Sequence, residues 1–560
     1  MPYHPDPPRP GNPFSDDALL REYLWRILPA SARAGVEEEL KALGVLSGER
    51  LYDLQLATRL EEPSLEQWDP WGRRADRIAL CSLWREAAEL SARHGLVAAA
   101  YERRLGPLSR VHQMAMVHVL EPSLDVYSCP LAMTDGAART LLDLGTPELV
   151  ERAVPRLTSR DPLRMWTSGQ WMTELAGGSD VSGTETVARL QDGVWRLYGT
   201  KWFSSATTAE MALALARPDG NPSGSRGLAL FYLETREADG TSNGIRVNRL
   251  KEKLGTRKLP TAELALEGAR AAPVHGLKDG VRSVAPMLNV TRTWNAVAAA
   301  AGMARGLSLA RDHARKRIAF GAPLREKPLH RDTLAFLEAE REAAFLLSFR
   351  AVELLGLAEG PEASTAEQAL LRVVTPLAKL TTGKQAVAVA SEVLECFGGA
   401  GYVEDTGIPR LLRDAQVLPI WEGTTNVLSL EALRALAAEE GLGARSLRAE
   451  IAQRLAAARH PDLRHPAAAG TRALERAEAA LAGDGGEDRE GGARRLALTL
   501  GRTLALSLLV EHAQAMAEAG TGRRALAAAR RFARSGVDLI GTLPEAAASE
   551  DGLLADAAAG

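Results

Sequence analysis

Two short segments far apart in the chain combine residue types that can do chemistry together. Met172-Thr-Glu-Leu-Ala-Gly-Gly-Ser-Asp180 offers the hydroxyls of Thr173 and Ser179, and Gly177 and Gly178 let the backbone approach a ligand closely. Successive amides in such a loop form a concavity for an anion, which suits a phosphate-bearing cofactor. Ile420-Trp-Glu-Gly-Thr-Thr-Asn426 sets one carboxylate, Glu422, just ahead of a predicted helix that Thr424 can cap. Together they point to a flavin with a single base beside it, the minimum for removing a proton and a hydride from adjacent carbons. Each segment alone has a plainer reading. Gly-Gly-Ser-Asp are ordinary turn residues, and a carboxylate before a helix stabilises its dipole.

Three further groups have the same double character. Trp202 in Lys201-Trp-Phe203-Ser204-Ser205 ends a predicted strand and can stack on a planar ring, with Ser204 or Ser205 donating to a ring heteroatom; a core Trp reads the same way. Arg317 follows a long predicted helix, where a guanidinium can pair with a diphosphate or simply complement the helix dipole. Gly398 and Gly399 in Phe397-Gly-Gly-Ala-Gly-Tyr402 close another helix, the usual work of glycine. The histidines form no triad and no metal-ligand pattern, and no G-x-G-x-x-G follows a strand, so neither a metal nor a Rossmann site is expected.

The elements that must position these residues fall into four regions. Residues 1–162 read as a helical domain: Ser15-Asp-Asp-Ala-Leu-Leu can open a helix, and Leu80 to Leu90 repeats apolar residues at helical spacing. Residues 163–280 change to short strands, Val194–Ser205, Met211–Ala216, Gly227–Leu233 and Ala262–Leu266, punctuated by Asp192-Gly, Asp219-Gly and Asn243-Gly. Residues 281–440 return to long helices, with Val290, Trp294, Val297, Ala301, Ala304 and Leu307 on one face, and Pro376 as a kink or start. A bundle is the economical arrangement. Residues 441–560 stay helical and rich in Ala and Arg, with Ala482 to Gly492 as a flexible connector and the last dozen residues frayed.

Composition sets bounds. A chain of 560 residues needs several modules, and 46% hydrophobic with 25% charged residues is ordinary for a globular protein. The net charge of −3 names no partner, and no apolar run is expected to span a membrane. The Pro-rich start lacks a signal-peptide core, and three sparse cysteines, Cys81, Cys129 and Cys396, fit a reducing cytoplasm.

Five segments in this order resemble the acyl-CoA dehydrogenase flavoproteins: M/V-T-E-x-x-x-G-S-D, K-x-W, R-x-x-F-G, G-G-x-G-Y/F and Y/W-E-G-T/S. The likeness covers roughly residues 20 to 440. The Gly-Gly-Ser-Asp spelling, Lys251-Glu-Lys-Leu-Gly-Thr-Arg257, Ala319-Phe-Gly-Ala-Pro-Leu324, Ile420 to Asn426 and the long C-terminal extension resemble the AidB branch, linked to the response to DNA alkylation. The resemblance implies an α+β, mainly helical fold: a helical domain, a β-barrel domain, a helical bundle and an extra helical region. It implies FAD and an acyl-CoA thioester as substrate. Carried over, Met172, Thr173, Gly178, Ser179, Trp202, Phe203, Ser204 and Ser205 hold the flavin from the β domain. Ile420, Trp421, Gly423, Thr424 and Asn426 complete the site, with Glu422 as base. Arg317, Gly398 and Gly399 reach the adenosine diphosphate end from a neighbouring subunit of a homotetramer. Glu395 stands where ordinary members have Gln, and Ala319 replaces a frequent hydroxyl. Where some members carry the base on an earlier helix before an Arg, this chain has Thr291-Arg292.

The C-terminal region adds a rival function. Arg523, Arg530 and Arg534 share a predicted helix face, with Arg524 and Arg531 beside it, a row that phosphates could use. A solvated face with acidic partners is the plainer reading. The AidB likeness implies double-stranded DNA binding here, so the sequence favours a DNA-associated flavoprotein with weak dehydrogenase activity. The alternatives are a metabolic acyl-CoA dehydrogenase and a helical scaffold that keeps FAD for stability.

Overall fold

The fold is organised by helix Ala285–Lys316, which at 32 residues runs about 48 Å. Its small residues let neighbours approach closely: a Cβ on Gly306 would lie 3.3 Å from Val393. The computed structural model describes residues 6–482, 487–540 and 555. Helices Pro328–Ala358, Thr365–Cys396 and Thr425–Ala456 pack around the first to make a four-helix bundle. Helix Thr365–Cys396 opens with a capping box of Ser364 and Glu367, so Pro376 lies inside it and does not start it, as the sequence had left open. The fourth helix is two: Glu439, Glu440 and Gly441 adopt left-handed backbone angles and break it, close to the 440/441 boundary expected from sequence.

The β domain is a curled seven-stranded sheet. Strand Val194–Ser205 pairs antiparallel with Val187–Gln191 and Thr261–Pro273. Asp192 and Gly193, both at positive φ, make the tight turn that their types announce. Strand Met211–Pro218 joins Ser168–Trp171 in parallel and Ala229–Glu234 antiparallel. An irregularity in pairing between Lys201 and Ser204 reorients the side chains of that stretch.

The N-terminal domain departs from the all-helical expectation. Asp17, not Ser15, caps the first helix, Ala18–Ile27. A hairpin, Ser64–Trp68 with Arg74–Ala79, interrupts the helices. The Asp69 carboxylate accepts from the Trp71 and Arg73 amides at 2.8 Å each and shapes its turn. Gln67 donates to the carbonyls of Val247 and Asn248, so the hairpin docks onto the β domain.

The region after Gly441 is built into the bundle. Helices Arg464–Ala482, Glu487–Glu518 and Arg523–Ala533 pack on its side. Of the expected connector, residues 483–486 lie outside the described residues, and the helix resumes at Glu487, so Gly491 and Gly492 are helical. The frayed tail falls outside the described residues apart from Ala555. Among the described residues one helix, Glu490–Glu518, is long and apolar enough to cross a membrane, contrary to the sequence expectation; 83% of its apolar window is buried in the bundle.

Buried ion pairs fasten this region. Arg502 makes two hydrogen bonds to Glu340, at 3.0 and 2.9 Å, with both side chains buried. Replacing Arg502 by Met leaves a buried carboxylate without its cation, a loss of about 3–5 kcal/mol. The expected result is a clear fall in the urea midpoint, followed by circular dichroism; an unchanged midpoint would show that these helices dock without the pair.

Candidate active site

The Met172–Asp180 loop is held to its strand by a buried ion pair that sequence reading did not single out. Lys201 is fully buried; its Nζ donates to Glu174 Oε1 at 2.6 Å and to the Leu215 carbonyl at 2.7 Å. Glu174 also accepts from the Glu185 amide and the Thr186 hydroxyl. Burial raises the Glu174 carboxyl, but Lys201 and these donors outweigh it and hold the pKa below its usual value. The Trp202 amide then donates to the Thr173 carbonyl at 3.0 Å, so loop and strand meet at the predicted motif residues. Gly178 is in close contact with Thr173: a Cβ there would lie 3.0 Å from Thr173 Oγ1.

Around this joint the side chains divide. Ser204 is buried and its Oγ has no hydrogen-bond partner among the described residues, an orphan that calls for a ligand acceptor or donor. Ser205 Oγ shares a hydrogen bond with Thr261 Oγ1. Lys251 Nζ sits 3.4 Å over the Trp202 ring. Ser179 and Gly178 are exposed on the loop. The Met172 side chain packs in the core beneath the sheet, and Phe203 is 46% exposed.

Glu422 stands at positive φ, 55°, directly before Gly423 and the cap residue Thr424, whose Oγ1 accepts from the Val427 amide. The unusual backbone is clamped from two helices. Arg292 Nε donates to the Glu422 carbonyl at 3.1 Å while its guanidinium pairs with Glu431. Lys379 Nζ donates to the Gly423 carbonyl at 2.6 Å. Thr291 Oγ1 donates to Glu422 Oε2 at 2.8 Å, which fixes the carboxylate itself. The Trp421 indole donates to Asn295 Oδ1, and Asn295 in turn donates to the Leu418 carbonyl.

The Glu422 carboxylate borders a cavity lined by Cys129, Met133, Thr291, Trp294 and Trp421. Cys129 lies between the two halves of the site, lining this cavity with its thiol near Ser205. Burial pushes that thiol up to about 12, so it is a neutral wall. Lys253 donates to the carbonyls of Thr256 and Leu259, and burial lowers it to about 8. Burial likewise lowers Lys379 to about 7, against the attraction of Glu422.

Not every expected residue joins this site. Ile420 is exposed, and Asn426 is also exposed and accepts from Arg494 of the C-terminal helices. Arg317 caps the far end of helix Ala285–Lys316, about 38 Å along it from Arg292. The His313 ring lies against Phe397, so Gly398 and Gly399 share that far end. Within one chain, then, Arg317, Gly398 and Gly399 are not brought to Glu422. In the C-terminal arginine row, Arg524 binds Glu22 and Glu342, Arg530 binds Asp462 and Arg531 binds Asp332. Arg523 and Arg534 are exposed. Among the described residues no cluster of three or more metal-ligating groups occurs.

Three family models match the chain: the adaptive response protein AidB N-terminal domain over residues 4–161, the acyl-CoA dehydrogenase middle domain over 169–269 and its C-terminal domain over 278–437. Acyl-CoA dehydrogenase family member 11 of Caenorhabditis elegans is 48% identical over 441 residues, 77% of this chain and 72% of that protein. AidB of Escherichia coli is 33% identical over 401 residues, 70% of this chain and 72% of that protein. The solved structure of the C. elegans protein in complex with C11-CoA has a TM-score of 0.94 at 40% identity, covering 99% of this chain and 96% of that one.

The Lys379 clamp makes a pH prediction. Folded, Lys379 loses its proton near pH 7; unfolded, only near its ordinary 10.5. Between these values the unfolded chain holds more protons, so the contribution of this group to stability rises with pH across that window. The difference in unfolding free energy between wild type and Lys379→Met is expected to move in favour of the wild type from pH 7 upward. Urea titrations at several pH values check it; a pH-independent difference would place the titration elsewhere.

Proposed function

The chain belongs to the acyl-CoA dehydrogenase family, and from that premise we propose that it holds FAD and oxidises an acyl-CoA thioester between its α and β carbons. Proteins of this family bind FAD. The residues present fit the group. The Ser204 hydroxyl is a polar atom without a partner among the described residues, Gly178 and Ser179 are exposed on the loop, and the half-buried Trp202 is tied to that loop through its amide. When bound, FAD supplies the hydride acceptor for the β carbon.

The observation that carries the reading is the Glu422 carboxylate, fixed by Thr291 at the wall of a largely apolar cavity. Its task is to accept the α proton. Thr291 occupies the helix position from which some family members present the base, and here it orients Glu422 by donating a hydrogen bond. Lys379 and Arg292 hold the carbonyls on either side of the loop, so the carboxylate can face the cavity without the backbone relaxing. Trp294, Met133 and Cys129 line the chamber beside the carboxylate with largely apolar groups. We assign Arg317, Gly398 and Gly399 to the adenosine diphosphate end of a site in a neighbouring subunit of a homo-oligomer.

A second reading, association with double-stranded DNA in alkylation defence, draws on the AidB N-terminal family model and on exposed Arg523 and Arg534. Because Arg524, Arg530 and Arg531 are already paired with carboxylates, we rank acyl-CoA oxidation first. Steeply salt-dependent filter binding that Arg523→Ala/Arg534→Ala abolishes would reverse that ranking.

The purified protein is expected to be yellow, and Glu422→Gln to stay yellow while its acyl-CoA-dependent bleaching slows by about 10²–10⁴-fold. Stopped-flow absorbance of the flavin band measures both. Bleaching at the wild-type rate would remove Glu422 from the reaction, and a protein that refuses added FAD would end the proposal.

A further inference from the structure

Lys201, Arg292 and Lys379 are buried cations that hold the loops of the site, and the first two have a carboxylate each. Lys201 donates to Glu174 at 2.6 Å and Arg292 to Glu431 at 2.9 Å. Lys379 differs. Its side chain on helix Thr365–Cys396 is fully buried, and among the described residues its only hydrogen bond runs to the Gly423 carbonyl, at 2.6 Å. A buried ammonium held by a neutral oxygen keeps an unbalanced charge, which is costly unless an anion stands close by. That anion is Glu422, one residue before the carbonyl, and its charge acts on Lys379.

The other charges around the turn do not supply this balance. Arg292, on helix Ala285–Lys316, repels Lys379 and is matched by Glu431 on helix Thr425–Ala456. Cys129, on helix Ser128–Leu144, is a neutral thiol, and Lys253 from the β domain is spent on the Thr256 and Leu259 carbonyls and the Thr261 hydroxyl. The indirect placement matters. Lys379 binds the backbone and not the carboxylate, so Glu422 Oε1 is free of hydrogen bonds among the described residues while Thr291 holds Oε2. An ammonium bonded straight to the carboxylate would compete with an incoming proton for the same lone pairs. One fixed a residue away supplies charge alone.

Resting on the dehydrogenase reading, we infer that Lys379 is a positioning residue for the reaction: its ammonium keeps the Glu422 carboxylate charged once an acyl group fills the cavity and displaces water. Loss of water drives a carboxylate toward its neutral form, which cannot take a proton from carbon. A cation that is itself buried is screened little by salt, so it opposes that drift effectively. The charge is also titratable: burial brings Lys379 to about 7, and below that pH the ammonium is present. Base and substrate share one negative charge on either side of the proton transfer, and Lys379 stabilises it in both. Its effect is therefore read in the pH at which the pair as a whole gives up a proton to solvent.

An acyl-CoA with sulfur in place of the β carbon tests this on the FAD-loaded protein, since it can give up an α proton but no β hydride. Proton removal leaves an enolate beside the oxidised flavin and a long-wavelength charge-transfer absorbance, which is followed across a pH titration without turnover. Lys379→Gln keeps a donor for the Gly423 carbonyl but removes the charge, and the pH of half-formation is expected to rise by about one to two units. Lys379→Met removes both and is expected to rise as far. Lys379→Arg restores the charge and is expected to return the midpoint to the wild-type value. A midpoint that the Gln variant leaves in place, or that moves in the Met variant alone, would assign Lys379 to holding the loop and overturn the inference. So would a shift in the Arg variant as large as in the Gln variant. If the wild type binds the analogue and gives no such absorbance at any pH, the dehydrogenase reading falls and takes the inference with it.

Discussion

The site depends on cations that have been taken out of water. Lys201 and Lys379 are buried completely and Arg292 nearly so, and each spends its charge on loop backbone or on a carboxylate that orders it. A buried donor in such surroundings cannot exchange its protein acceptor for a water molecule, so releasing the loop means leaving a buried polar group unpaired. That asymmetry makes the loops rigid: the interactions contribute modestly when made and cost several kcal/mol when broken. Lys201 secures the glycine loop against the sheet. Lys379 and Arg292, from two different helices, secure the left-handed turn that presents Glu422. The β domain and the bundle thus each deliver a fixed half of one site, with Cys129 and Ser205 at the seam.

This explains which parts of the protein were legible in the sequence. Periodicity and turn types located the strand Val194–Ser205, its Asp192-Gly193 turn and the long helices, because those signals are local. The hairpin at residues 64–79 was missed because Asp69 makes its turn through hydrogen bonds to the next residues, within a stretch otherwise flanked by helical patterns. At the site, Thr173, Trp202, Ser204 and Glu422 could be named from their types and order. The residues that immobilise them could not. Glu174 and Lys201 are 27 residues apart, and Arg292 and Glu422 are 130 apart. One signal was available: Lys201 falls in an otherwise alternating strand, at a position that has to face inward.

The same logic revises the C-terminal region. An arginine row on an amphipathic helix reads as a phosphate-binding face when only its own helix is considered. The fold supplies partners from elsewhere: Glu22 from the first helix, Glu342 and Asp332 from the bundle, and Asp462 from the loop before the row's own neighbours. The segment after Gly441 is tied to the rest of the chain by ion pairs that run from buried, Arg502 on Glu340, to half-exposed, Arg531 on Asp332. Helix Glu490–Glu518 is apolar because it serves as an inner wall of that enlarged bundle.

The length of helix Ala285–Lys316 then imposes a last constraint. Its first turns carry Thr291 and Arg292 at the base, its middle lines a second cavity at Gly302, and its end carries Arg317, one turn beyond His313, which lies against Phe397. A rigid rod of this length cannot bend its two ends into one ligand. Residues at the far end can act on a cofactor only if a second copy brings its own glycine loop and Glu422 there. That end is also where Phe320 and Tyr402 stand 96% and 88% exposed, large apolar side chains that a second copy would cover. Under the proposed function, a complete cofactor site and the assembly of subunits would be one requirement, because this helix holds the two proposed binding patches apart within a chain.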